Sequence, residues 1–129
     1  MVSINRGDVF LVDFNPTIGA ETRKTRLAVV VSNNINNTHS PIVSVAPITS
    51  NIARIYSFEV KVKANLDGLS TTSKIMVNQT RAVDKTRLLK NLGTLPNDII
   101  QAIDKALKLH FSLWKIKTGM AEYGEPVIQ

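Results

Sequence analysis

The sequence predicts a mainly β domain with one C-terminal helix (α+β), its strands forming a compact antiparallel barrel or a curled sheet. Three observations carry that prediction. Short apolar or alternating runs of strand length follow one another through the first two thirds of the chain, each bounded by turn residues. No helical period falls between them, which argues against a parallel sheet. From Pro96 the period changes to steps of three and four, as a single helix requires.

The first strand is "DVFLVDF" (Asp8 to Phe14), with Gly7 before it and Pro16 after it. A loop from Asn15 to Arg26 follows, carrying Pro16, Gly19 and then three cations, Arg23, Lys24 and Arg26. "LAVVVS" (Leu27 to Ser32) is a continuous apolar run, as expected of a strand buried on both faces. "NNINNTHSP" reads as a polar turn region, and "IVSVAPI" (Ile42 to Ile48) as a third strand whose Pro47 suggests an edge or a bulge. "SFEVKV" (Ser57 to Val62) alternates as a half-exposed antiparallel strand does, and "NLDGLS" is a turn built on Gly68. "SKIMVNQTRAV" adds one more strand and a short continuation after Gln79. Ile99, Ile100, Ile103, Ala106, Leu107, His110, Phe111 and Trp114 then fall on one face of a helix of about five turns. Pro96, Asn97 and Asp98 stand where a helix start favours them.

These elements fit one domain over residues 1–114, with 115–129 as a loose tail that has two glycines, a proline and no period. There is no cysteine, which excludes disulfides and thiolate metal sites and suits a reducing compartment. The start lacks a secretory pattern and no apolar run is long enough to span a bilayer, so a cytoplasmic, membrane-free protein is expected. The net charge of +6 favours a polyanionic partner, either nucleic acid or an acidic protein segment. An aromatic content of 5% argues against a surface built mainly from base-stacking platforms.

Most catalytic classes find no support. His39 and His110 are the only histidines and show no metal-ligand spacing, while the carboxylates are scattered; neither metal nor cofactor is expected. His110 shares the apolar stripe and reads as a packed imidazole; His39 reads as a surface residue. No nucleophile elbow, P-loop or dinucleotide glycine pattern appears. Three polar groups remain where strands meet loops: the Arg23, Lys24, Arg26 cluster; "ITSN" (Ile48 to Asn51); and "NQTRAVDKTRL" (Asn78 to Leu88). Taken singly, each is an ordinary solvated loop or turn.

Taken in order, they resemble the MazF/PemK family of toxins, the ribonuclease halves of toxin–antitoxin pairs. "NRGDVFLVDFNPTIGAETRKTRLAVVVSNN" is similar to that family's first block, "VAPITSN" to its second and "NQTRAVDKTRLLKNLGTL" to its third, and the match continues into the helix, over about residues 4–113. The resemblance implies an SH3-like antiparallel β-barrel of the MazF/CcdB type and a homodimer. It implies metal-independent, sequence-selective cleavage of single-stranded RNA, usually mRNA. A cognate, MazE-like antitoxin with an acidic segment is implied as partner. The family's catalytic arginine and threonine map onto Arg26 and Thr49. By their own chemistry the remaining polar groups suit RNA binding: Ser50 and Asn51 for phosphate or sugar, Gln79 for a base edge, and Arg23, Lys24 and Arg81 for neighbouring phosphates. The alternatives are a CcdB-like toxin that grips a protein target such as gyrase, and a nucleic-acid-binding barrel without catalysis.

Those residue types suit the chemistry. RNA supplies its own nucleophile in the 2′-hydroxyl, and attack on the adjacent phosphate builds charge that a planar guanidinium can stabilise. A threonine hydroxyl can hold the phosphate in line. The chain departs from the family at three places. Leu27 stands where many relatives have proline, Asn78 where some have a carboxylate, and Ala82 where threonine is usual.

Overall fold

The computed structural model describes residues 3–16, 19, 24–64 and 69–113. Gly68, Trp114 and the tail therefore lie outside the described residues. The apolar runs form a seven-stranded antiparallel sheet from β1 (Asp8–Asp13), β2 (Thr25–Val30), β3 (Ile42–Thr49), β4 (Val60–Val62), β5 (Ser73–Ile75), β6 (Arg81–Asp84) and β7 (Leu88–Thr94). The strand order is β4-β5-β3-β2-β1-β7, with β6 paired to β3 beside β5. Two helices complete the fold: α1 (Asn34–His39) and α2 (Asn97–His110). The fold class is the expected one, an antiparallel β architecture with a C-terminal helix. The barrel is not closed, because no hydrogen bonds join β4 to β7 among the described residues.

Alternation along the central strands fills two cores. Val9, Val29, Ala46, Ile48 and Ile75 point to one face, where α2 covers them with Ile103 and Ala106. Phe10, Val12, Phe14, Ala28, Val30, Val43, Val45 and Val83 fill the other face. The unbroken run of β2 is thus explained: successive residues serve opposite cores, so neither parity can be polar. Burying one such side chain stabilises the fold by about 1.5–3 kcal/mol, and Ile103 is one of two residues through which α2 makes its deepest contact.

Several local readings are corrected. The asparagine-rich "turn" is the short helix α1: the Asn33 side chain accepts from Asn36 N, and buried Asn37 donates to the Ser32 carbonyl. Pro47 lies inside β3, not on an edge strand. Its carbonyl accepts from Met76 N, so the missing donor falls where that side of β3 changes partner from β6 to β5. Strand β7 has no counterpart in the sequence reading, because it is mostly exposed, pairs only with β1 among the described residues and carries two register shifts that erase any period. Helix α2 has 14 residues rather than five turns, and His110 is exposed, edge-on to Phe111 at 4.7 Å. No helix among the described residues is long and apolar enough to cross a membrane.

The Arg6-Gly7-Asp8 junction ties sheet to helix. Arg6 donates to the Val31 carbonyl and pairs with Asp104 of α2 at 2.7 Å. The buried Asp8 carboxylate accepts from Asn5 N and Thr94 Oγ1. Between them Gly7 adopts φ +94°, and a Cβ there would meet Ile100 Cδ1 at 2.5 Å. Gly7→Ala is expected to cost about 1–3 kcal/mol from the backbone alone, since Ile100 can swing its terminal methyl aside. Urea denaturation measures this, and a midpoint equal to wild type would refute the strain at this junction.

Candidate active site

Register brings the first two candidates together. Ala28 opposes Pro47 across β2 and β3, so two residues further on Arg26 faces Thr49. Arg26 shares the parity of Ala28 and Val30, which places it on the sheet face away from α2. Its Nη1 lies 3.5 Å from Thr49 Oγ1, a long contact, and the guanidinium is exposed. Thr49 is the last residue of β3, and its hydroxyl oxygen also accepts from Asn51 N at 3.2 Å. With its oxygen approached by two donors, the Thr49 hydroxyl keeps its own proton for a third group.

The row continues across the sheet. Thr49 opposes Lys74 on β5, and Lys74 opposes Lys61 on β4. Arg26, Thr49, Lys74 and Lys61 therefore stand side by side on one face of four strands, spaced about 4.8 Å apart. Three of the four are cations. The Lys74 side chain is largely buried and is tied to Glu59 at 3.0 Å and to the Arg54 carbonyl at 2.7 Å, so the charge open to an incoming anion comes from Arg26 and Lys61.

The other candidates take varied positions. Lys24 is exposed at φ +63°, and its backbone closes the neck of the β1–β2 loop: Lys24 N donates to Asn15 Oδ1, and Lys24 O accepts from Phe14 N. Arg23 lies outside the described residues. Ser50 is exposed, and Asn51 uses its Oδ1 to accept from Ala53 N, fixing the turn after Thr49. Gln79 ends the 3-10 turn Val77–Gln79, with Nε2 3.5 Å from Met76 Sδ. Arg81 opposes Val45, four residues along β3 from Thr49, yet its guanidinium reaches the Phe14 ring at 5.7 Å. Its Nη1 is buried with no hydrogen-bond partner among the described residues. The structure thus unites Arg26 and Thr49, and sets Gln79 and Arg81 on a neighbouring segment.

Sequence reasoning missed two supports. Arg87, in a segment read as an ordinary turn, donates through Nη1 to the carbonyls of Asp13 and Asn15, clamping the neck of the loop that leads to Arg26. Asp84 turns its carboxylate on Thr86, and the Thr86 backbone N–H, then its hydroxyl, hold that carboxyl below the ordinary range. Lys74 was the second miss; its pairing with Glu59 spans fifteen residues and becomes visible only through register. Of the three departures, Leu27 packs into the core beneath α2, while Asn78 and Ala82 are exposed. Among the described residues no group of three or more His, Cys, Asp or Glu side chains is placed to hold a metal ion.

Comparison with known proteins agrees with this architecture. The chain is 37% identical over 116 residues to endoribonuclease MazF9 of Mycobacterium tuberculosis, spanning 86% of this chain and 98% of that protein. It is 32% identical over 111 residues to endoribonuclease EndoA of Bacillus subtilis, spanning 85% and 96% respectively. Its fold superposes on the crystal structure of MazF from Deinococcus radiodurans with a TM-score of 0.76 at 25% identity, over 88% of this chain and all of that one. The sequence model of the PemK-like, MazF-like toxins of type II toxin–antitoxin systems matches residues 5–111, and the chain belongs to that family.

Proposed function

We propose that this chain is the endoribonuclease toxin of a toxin–antitoxin pair, cutting single-stranded RNA, chiefly mRNA, in a sequence-selective way. The observation that carries the reading is the Arg26–Thr49 pair, 3.5 Å apart at an exposed strand end. The 2′-hydroxyl of one nucleotide attacks the adjacent phosphorus. The new 2′-O–P bond forms as the P–O5′ bond breaks, leaving a 2′,3′-cyclic phosphate and a 5′-hydroxyl. The attacking hydroxyl gives its proton to solvent water, and the departing 5′-oxygen takes one from the Arg26 guanidinium, which solvent then reprotonates. Arg26 faces the nonbridging oxygens and stabilises their growing charge, a role a guanidinium fills without a metal. A guanidinium is a poor base, so Arg26 is suited instead to charge stabilisation and to protonating the leaving oxygen. Thr49 donates its free proton to the same phosphate and holds it in line.

Arg23, Lys24, Ser50, Asn51, Gln79 and Arg81 bind the flanking RNA in this reading. Residues 1–114 act as one domain and 115–129 as a tail. The protein works as a cytoplasmic homodimer, and an antitoxin with an acidic segment neutralises it by occupying the basic RNA face. The test is incubation of the purified protein with a long single-stranded RNA in EDTA, followed by mapping of fragment ends. Discrete cuts at a recurring short sequence are expected, with cyclic phosphate at the upstream ends. Intact RNA from folded protein would favour a toxin that grips a protein target, or a nucleic-acid binder without catalysis.

A further inference from the structure

The β3–β4 loop carries a cluster that the Arg26–Thr49 pair does not use. Tyr56 is 45% exposed, a large aromatic surface to leave in water. Its ring lies parallel to Phe58, 4° from coplanar with centroids 5.2 Å apart. The Arg54 guanidinium stands over the Tyr56 ring at 5.6 Å and donates to its hydroxyl at 3.2 Å. Lys74 Nζ approaches the same ring at 5.9 Å.

The backbone beneath these rings is pinned. Glu59 Oε1 accepts from Tyr56 N at 2.9 Å and from Lys74 Nζ at 3.0 Å, and Lys74 Nζ donates to the Arg54 carbonyl at 2.7 Å. Lys74 opposes Thr49 directly, so the anchor of the aromatic cluster adjoins the threonine on the same sheet face. A fixed, half-exposed ring with a guanidinium over it offers stacking and cation–π attraction to a flat, polarisable group. Of its two cations, Lys74 is neutralised by Glu59, while Arg54 keeps its charge and holds it over the ring. An aromatic face beside a single guanidinium fits an unpaired nucleobase better than an acidic peptide, which would seek several unpaired cations and no ring.

We propose that Tyr56, stacked on Phe58 and flanked by Arg54, is a base-stacking subsite for an unpaired nucleobase neighbouring the cleaved phosphate. The subsite rests on the ribonuclease reading and gives it a specificity element on the β5 side of Thr49. It also narrows the sequence expectation: aromatic platforms are few here, but one is built beside the proposed chemistry.

Two measurements test it. The first uses a short RNA made uncleavable by a 2′-deoxy sugar at the attacking nucleotide, with 2-aminopurine walked along the flanking positions. Wild-type protein should quench 2-aminopurine at one position, and Tyr56→Leu should abolish that quench. The second is cleavage kinetics. Tyr56→Leu should lower kcat/KM by roughly 5- to 150-fold, the range of one base stack, with the loss carried by KM. Tyr56→Trp and Tyr56→Phe should restore both signals. Equal quenching and equal kcat/KM in wild type and Tyr56→Leu would overturn the proposal. So would Tyr56→Phe as deficient as Tyr56→Leu, which would assign the effect to the hydroxyl. Loss of binding to an acidic antitoxin segment with unchanged RNA behaviour would also overturn it, making the ring a protein contact. A position-specific quench lost in Tyr56→Leu, in a protein that cuts no RNA, would keep the subsite and reject the nuclease.

Discussion

Arg26→Ala lowers the rate of RNA cleavage by about 10²–10³ and leaves the protein folded, as expected when one preorganised donor to a developing charge is removed. The side chain is exposed and its recorded polar contact is the one to Thr49, so the change in stability should stay within about 0.5 kcal/mol. Thr49→Ala should cost a similar factor in rate. It also frees Asn51 N from its acceptor, so a modest loss of order in the following turn accompanies it. Thr49→Ser, which keeps the hydroxyl, should recover most of the activity. Arg26→Lys should not, because an ammonium lacks the planar fork that meets two phosphate oxygens at once. The double variant should fall short of the product of the single losses, since two groups that hold one phosphate act as a unit. Single-turnover cleavage of a defined oligonucleotide, with circular dichroism to confirm folding, reads all of these. Wild-type-like cleavage by both alanine variants at equal purity would remove Arg26 and Thr49 from the site.

How much of this was visible in the sequence follows from where the physical signal resides. Strand β2 was legible because both of its parities are buried, so hydrophobicity alone marks it. Strand β7 was not, because exposed residues and register shifts leave no period to find. Helix α1 was hidden behind asparagines, whose capping and side-chain hydrogen bonds make a helical turn from a composition that reads as loop. At the site, Arg26 and Thr49 stand out only through the family's block pattern. Their adjacency depends on the Ala28–Pro47 register, which no local property of either segment encodes. The clamp by Arg87 on Asp13 and Asn15 joins residues more than seventy positions apart, so "DKTR" read in isolation looks like a turn and nothing more.

Lys74→Met is expected to destabilise the protein by about 3–5 kcal/mol, a large share of the roughly 5–15 kcal/mol that holds a domain of this kind together. The Glu59 side chain is only 5% exposed and that of Lys74 11%, so this is not the solvated pair whose loss costs 1 kcal/mol or less. Removing the ammonium leaves a carboxylate out of water with Tyr56 N as its remaining recorded donor, and leaves the Arg54 carbonyl without the lysine. Glu59→Gln should be milder, because the amide oxygen still accepts from Tyr56 N while Lys74 keeps the Arg54 carbonyl. Replacing both partners, Lys74→Met with Glu59→Leu, should recover much of the loss of the single lysine change, since no charge is then left unpaired. Urea denaturation of the three variants separates these outcomes, and a Lys74→Met midpoint within about 1 kcal/mol of wild type would show the pair to be effectively solvated. The double variant carries the functional consequence as well. Its fold is restored but the Arg54–Tyr56 backbone has lost both of its anchors beside Thr49, so RNA affinity should remain low while the melting behaviour recovers. Stability and binding would then part company at one ion pair, which is the behaviour of a charge pair kept to hold a recognition loop rather than to hold the fold.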